Sequence, residues 1–287
     1  MTPFRTLVRV ERARILRRPM TWILGIIIGG LTGLIYFSLA LVLLLPEGSE
    51  AGLSPEETAD VRELVIFPEG FAFGMSAIGG FATIAMIILA AGAFGSEFSW
   101  GTVRTSLMAG VSRDRFYAGK IVTLLVLGAL VTVAAAALSF GATLTVGLVI
   151  DQSFYVDEWL NGEFFLDALL MILRSFIAIG IWTLIAGTLA LVTHSLAAGI
   201  GVTLGAYIGG DIVFSLLRAA GDIGRWISRF FPNEAVNALL SMNGANPPSY
   251  EATDYAWIAA NLLFYTVAAI SIAVYRFRRM DIIAASG

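Results

Sequence analysis

With 287 residues, 58% of them hydrophobic and 14% charged, a formal net charge of −3 and a mean hydropathy of +0.84, the chain lies outside the range of soluble domains. Soluble domains carry about 25% charge and a polar face on every element, whereas whole segments here have none, which puts the chain in the membrane class. The lack of cysteine excludes disulfides and thiolate metal sites, and one histidine makes no metal site, so no metal is expected. Lys120 is the sole lysine among 18 basic residues, a weak compositional cue to a GC-rich prokaryotic genome.

In chain order, residues 1–19 read as an amphipathic helix. Phe4, Leu7, Val8 and Ile15 share one face and Arg5, Arg9 and Arg12 oppose it, which suits a helix in the headgroup plane whose Arg side chains reach lipid phosphates. Glu11 falls on the apolar face, where Arg14 or a partner protein could pair with it. The run from Thr21 to Leu45 exceeds the apolar core of a cleavable signal peptide and no A-x-A site follows it, so it reads as a first span. Stretches of about 20 largely apolar residues occur six times, at 20–45, 71–94, 117–150, 167–193, 197–219 and 255–276. The third is longer than one span needs, and the bilayer is expected to begin at Ile121. Ser54-Pro55-Glu56-Glu57 has the form of a capping box with Pro at the first helical position. In 220–254, aromatic residues surround Pro232 before a helical run that stops near Asn243-Gly244. Trp226, Phe230 and Phe231 suit either a segment dipping into the membrane interface or an ordinary outer loop.

Basic residues set the orientation. With the N-terminus inside, 13 of the 18 basic residues fall on the inner side, among them Arg104, Arg113, Arg115, Lys120 and the run Arg276 to Arg279. Of the 21 acidic residues 16 fall outside, including those from Glu47 to Glu69 and from Asp151 to Asp167. The expected fold is therefore one all-α polytopic membrane domain over 1–287 with six spans and both termini in the cytoplasm.

The polar stretch SEFSWGTVRTSLMAGVSRDRFYAGK, Ser96 to Lys120, interrupts this greasy chain on the inner side. Trp100, Val103, Leu107 and Val111 form one apolar stripe at helical spacing, with Thr102, Thr105 and Ser106 largely off it. Gly110 can end that helix, and Ser112 with Asp114 can start the next. Such an element can lie on lipid or dock in a groove on a partner.

Glu97, Gly101, Thr102, Arg104 and Leu107, followed by Gly110, Ser112, Arg113, Gly119 and Lys120, resemble the cytoplasmic loop of type 2 ABC transporter permeases. Many relatives have Pro near the position of Gly110. Glu11, Arg14 and Arg17 resemble the E-x-x-R-x-x-R run of that family's elbow helix. The six-span layout and the helical loop before the last span also agree. The resemblance implies that 96–116 is a coupling helix inserted into a separate ATPase subunit, present in two copies. It further implies a second permease subunit, identical or paralogous, and export by alternating access. In this reading Glu97, Arg104 and Arg113 hold the ATPase or brace the loop against span two.

No G-x-x-x-x-G-K-[ST] occurs, so ATP and Mg belong on the partner and the chain itself binds no cofactor and is no enzyme. Gly25, Gly29 and Gly33, and likewise Gly201, Gly205 and Gly209, form G-x-x-x-G-x-x-x-G stripes that permit close helix approach. They suit packing within one protomer or, by resemblance, a dimer interface. Arg174 and Asp211 lie deep in spans at matching depths, where a salt bridge is feasible and a substrate contact is the other reading. Apolar spans favour a hydrophobic or amphipathic cargo, and the expected partners are protein subunits and membrane lipid, not nucleic acid. The competing reading is an ion-gradient-driven transporter or channel using Arg174 and Asp211; a membrane-embedded enzyme lacks a nucleophile–base pair or metal cluster. A non-transporting scaffold is excluded only by the resemblance. The expected location is the plasma membrane of a prokaryote.

Overall fold

The computed structural model describes residues 4–45, 54–150, 162–244 and 247–280. Glu47, Glu50, Asp151, Asp157, Glu158 and Asp281, which enter the charge-based orientation, lie outside the described residues. These form eleven helices and no strand: α1 (Phe4–Leu16), α2 (Pro19–Leu44), α3 (Pro55–Val65), α4 (Glu69–Ser99), α5 (Thr102–Met108), α6 (Arg113–Ile150), α7 (Gly162–Thr193), α8 (Leu196–Ala219), α9 (Asp222–Ser228), α10 (Pro232–Ser241) and α11 (Ala252–Arg279). Six of them, α2, α4, α6, α7, α8 and α11, are long and apolar enough to cross a membrane. Each matches an expected span and most run a few residues further. The 38 residues of α6 form one unbroken rod, long enough at about 1.5 Å per residue to project well beyond a bilayer core.

The bundle is built around α4. Of its apolar window 67% is buried, against 11% for α2 and 17% for α8, because its Gly- and Ala-rich sequence lets neighbouring backbones come close. At Gly95 a Cβ would stand 2.6 Å from the backbone of Leu196, so only glycine lets α8 start there. Phe94, Met86, Leu124, Trp182 and Leu191 fill the core between α4, α6 and α7. Polar bonds add register: the Tyr36 hydroxyl donates to the Gly70 carbonyl at 2.7 Å, and the Ser139 hydroxyl to that of Phe71 at 2.9 Å. In contrast, Gly25, Gly29, Gly33, Gly201, Gly205 and Gly209 have nothing within 4 Å of where a Cβ would be, so neither stripe packs closely on the described residues. Other glycines make the close approaches.

One end of the bundle gathers α1, α5, the start of α6, the α7–α8 turn and the end of α11, and is rich in arginine. His194, at a left-handed φ of 54° in that turn, stacks on Phe98 with centroids 4.6 Å apart. The other end carries α3 and α9. There the expected capping box forms: Ser54 N donates to the Glu57 carboxylate at 2.9 Å and Glu57 N to the Ser54 hydroxyl at 3.3 Å. The bond from the Ser54 N–H, and then that from its hydroxyl, holds the Glu57 carboxyl below its ordinary pKa.

Between α8 and α11 the chain folds back along the bundle, and α10 lies within its length. Asn233, in the first turn of α10, donates to the carbonyls of Ala206 and Tyr207 at 3.1 and 3.3 Å, at the middle of α8. Ala235 and Val236 pack against Ala178 and Ile181, the middle of α7. The turn before α10 hangs on α11: Asn261 and Trp257 donate to the Arg229 carbonyl and Tyr265 to that of Phe230. Proline at the first helical position starts α10 here.

This hairpin separates the two intramembrane charges expected to meet. Arg174 donates to the Met242 carbonyl at 2.9 Å and to Asn243 Oδ1 at 3.3 Å, just past the C-terminus of α10, where a cation complements the helix dipole. Asp211 accepts from Asn237 Nδ2 at 2.7 Å on the same helix. Each braces α10, and they do not pair. Arg174→Ala is expected to destabilise the protein by about 1.5–3 kcal/mol, the usual range for a charged hydrogen bond. The double exchange Arg174→Asp with Asp211→Arg is expected to melt no higher in detergent than either single change, whereas a true pair would be rescued by it.

Candidate functional site

Four charged side chains meet inside the arginine-rich end. Glu97 lies near the end of α4, Lys120 two turns into α6, and Glu11 and Arg14 one turn apart on α1. Lys120 Nζ donates to Glu97 Oε1 at 2.7 Å and to Glu11 Oε2 at 3.0 Å. Arg14 Nη1 donates to Glu97 Oε1 at 2.8 Å and to Glu11 Oε1 at 2.9 Å. Two acids and two bases close a ring, with Glu97 and Lys120 each only 1% exposed and Glu11 3%. The rings of Phe116 and Phe94 lie 5.0 and 5.8 Å from the ammonium, adding cation–π attraction.

Local sequence explains how the groups arrive. Leu7, Glu11 and Ile15 share the inward face of α1, and Gly119 lets that face approach α6 so closely that a Cβ there would stand 3.3 Å from Leu7. The α1–α2 corner is fastened where the last carbonyls of α1 lack helical partners: Thr21 donates to Ile15 and Trp22 to Leu16. Arg18 crosses to the Gly92 carbonyl at 3.0 Å, below Trp100, whose ring centre is 5.6 Å away. Glu97 Oε2 is buried with no hydrogen-bond partner among the described residues, and both of its cations bond Oε1.

The segment between Glu97 and Lys120 is a short helix held from behind. Gly101 takes a left-handed φ of 66° and turns the chain out of α4, and Gly110, at 85°, ends α5 as expected. Val103 is buried, and Leu107 and Val111 pack on the core. Trp100 leaves the expected stripe because Gly101 breaks the helix after it, and it is 68% exposed. Arg104 and Met108 also face outward. Thr102 Oγ1 donates to the Glu97 carbonyl at 3.4 Å, and Ser112 starts α6, its carbonyl accepting from Phe116 N at 2.9 Å. Arg113 turns to α11, donating to the Phe277 carbonyl at 3.0 Å and to that of Arg278, while Arg278 pairs with Asp114 at 2.6 and 2.8 Å. Of the residues grouped by sequence, Glu97 and Arg113 therefore brace the fold and Arg104 stays on the surface. Arg17 is exposed in the α1–α2 turn.

Residues 67–283 match the family described as a protein of unknown function, DUF2705. The chain belongs to this family. A search of curated proteins returned no match. The matched span contains Glu97, Lys120, Arg174 and Asp211, while Glu11 and Arg14 precede it.

The arrangement has one chemical property of consequence: α1, α4 and α6 cannot separate without stranding charge in an apolar interior. Lys120→Met is expected to destabilise the protein by about 3–5 kcal/mol, as breaking a buried pair does. Adding Glu97→Gln is expected to restore part of the loss, because Arg14 then has one buried carboxylate to neutralise instead of two. Melting of the purified single and double variants in one detergent checks both.

Proposed function

We propose that the chain is the membrane-spanning subunit of an ATP-driven transporter of the type 2 ABC permease kind. The observation that supports it most is the ring of Glu11, Glu97 and Lys120, all buried, closed by the partly exposed Arg14, at the base of α5. A coupling element needs an outward surface for the motor and a stiff connection to the spans. Here Trp100, Arg104 and Met108 face outward. The ring ties both flanks of α5 and the N-terminal helix into one block. A push on α5 then moves α1, α4 and α6 together, since shear would break close-range ion pairs that cost several kcal/mol to strand.

In this reading the arginine-rich end faces the cytoplasm of a prokaryotic cell, as the distribution of basic residues favours. Both termini are cytoplasmic. Two ATPase subunits carry ATP and Mg, and their closure drives alternating access and export. The open stripes of Gly25, Gly29 and Gly33 and of Gly201, Gly205 and Gly209 face a second permease subunit, identical or paralogous. Arg5, Arg9 and Arg12 line a groove of about 390 Å³ floored by Val126, Leu127 and Leu130, which suits lipid phosphate above and acyl chain below.

Mild-detergent purification of tagged protein from its own host is expected to bring down a soluble ATPase near stoichiometrically. Arg104→Glu, on the exposed face of α5, is expected to reduce that recovery at least severalfold with melting unchanged. Protein that comes down alone, with no nucleotide-dependent activity, would instead favour ion-gradient-driven transport.

A further inference from the structure

A cavity of about 300 Å³ opens between α4, α7, α8 and α10, and its lining is unusually polar for the middle of an apolar bundle. Ser76, Thr83, Tyr207, Asn237 and Asp211 face it from three helices. Asp211 lies about 12 Å from the end of α8, at 1.5 Å per residue. Among the described residues it has no ion pair, and its one hydrogen bond is from Asn237 Nδ2 at 2.7 Å. The cation nearest in expected depth, Arg174, is committed to the end of α10. An ionisable group at such depth ordinarily has a partner or faces a water-filled cavity.

The wall formed by α7 supplies a second, independent feature. Trp182 is 1% exposed and lines the cavity, yet its Nε1–H has no hydrogen-bond partner among the described residues. Buried indole N–H groups ordinarily find an acceptor. The Trp182 ring stands edge-on to Tyr207, with centroids 5.3 Å apart and planes at 69°. One carboxylate beside the partly exposed ring of Tyr207 matches an organic ammonium, which is drawn both by charge and by the ring quadrupole. A single carboxylate is a poor site for Ca²⁺, which takes 6–8 oxygen ligands. The unpartnered N–H asks in addition for an acceptor on the ligand.

We propose that this cavity binds amphipathic organic cations that also carry a hydrogen-bond acceptor, with Asp211 as counter-charge and Trp182 as donor. Describing the occupant as cargo rests on the transport reading above; its binding does not. Benzoylcholine has an aromatic ring, an ester carbonyl and a quaternary ammonium, and 3,3-dimethylbutyl benzoate is its uncharged carbon analogue. Equilibrium dialysis against purified full-length protein, with no nucleotide and no ATPase present, tests the site apart from the motor. Saturable binding of benzoylcholine is expected, weakened about tenfold or more by Asp211→Asn, a modest share of a close charge pair. Asp211→Glu should keep most of it, and the neutral analogue should bind no differently to wild type and Asp211→Asn. No saturable binding, or equal binding of the two compounds to wild type, would overturn the proposal. So would an Asp211→Asn protein of unchanged melting that binds as wild type does. If Asp211→Asn fails to fold, the wild-type comparison of the charged and neutral compounds decides alone. A transporter that lacks this site but retains its ATPase would fail here and still pass the purification test.

Discussion

A charge inside an apolar bundle must be neutralised at close range, and the geometry at the arginine-rich end follows from that requirement. The Coulomb attraction of ion pairs offsets desolvation only where contacts are short and several hydrogen bonds are made together. Lys120 meets this with two carboxylates and two aromatic rings, and Glu97 with two cations on one oxygen. The four charged groups come from three helices, so the positions of α1, α4 and α6 are fixed jointly. Hydrophobic packing along α4 would tolerate small sliding; the ring does not.

The same requirement shapes the opposite end through helix termini. A helix whose end lies inside the bundle exposes carbonyls that water cannot reach. Arg174 answers this at the end of α10; Arg113 serves carbonyls of the last turn of α11 in the same way at the arginine-rich end, there at the protein surface. In both cases an arginine that sequence alone would assign to a salt bridge or a partner serves backbone carbonyls instead. Arginine suits the task because its planar fork offers several donors and never loses its charge.

These substitutions mark where the sequence was readable. Six apolar runs, the capping box at Ser54 and the stop at Gly110 were legible because each is a local signal with its own period or cap chemistry. The site was visible only in fragments: Glu11 stood on an apolar face, and Lys120, the one lysine, stood where an apolar helix begins. Two misplaced charges of opposite sign were a clue that they meet, but 109 residues separate them and no periodicity links helices that far apart. Trp100 was misplaced for a local reason. A glycine in left-handed conformation interrupts the helical period, and residue spacing cannot reveal that turn. The Arg174–Asp211 pairing failed because equal depth says nothing about which way two side chains face, and because backbone carbonyls of α10, created by a chain reversal, competed for the arginine.

The ring and the cavity thus solve one electrostatic problem in opposite ways. At the arginine-rich end two acids and two bases are matched in number, with Glu11, Glu97 and Lys120 sealed inside and the partly exposed Arg14 closing the ring, which holds three helices in one register. In the cavity beside α8 an acid and a donor remain unmatched, with Asp211 holding one neutral hydrogen bond and Trp182 none. Sealed charge is suited to rigidity and unmatched charge to reversible binding. Both features rest on α4, whose far end carries Glu97 and whose middle lines the cavity through Ser76 and Thr83. A displacement begun at α5 would therefore reach the cavity along a single continuous helix. On the transport reading, that helix is the shortest physical link between the surface offered to a motor and the pocket offered to a cargo.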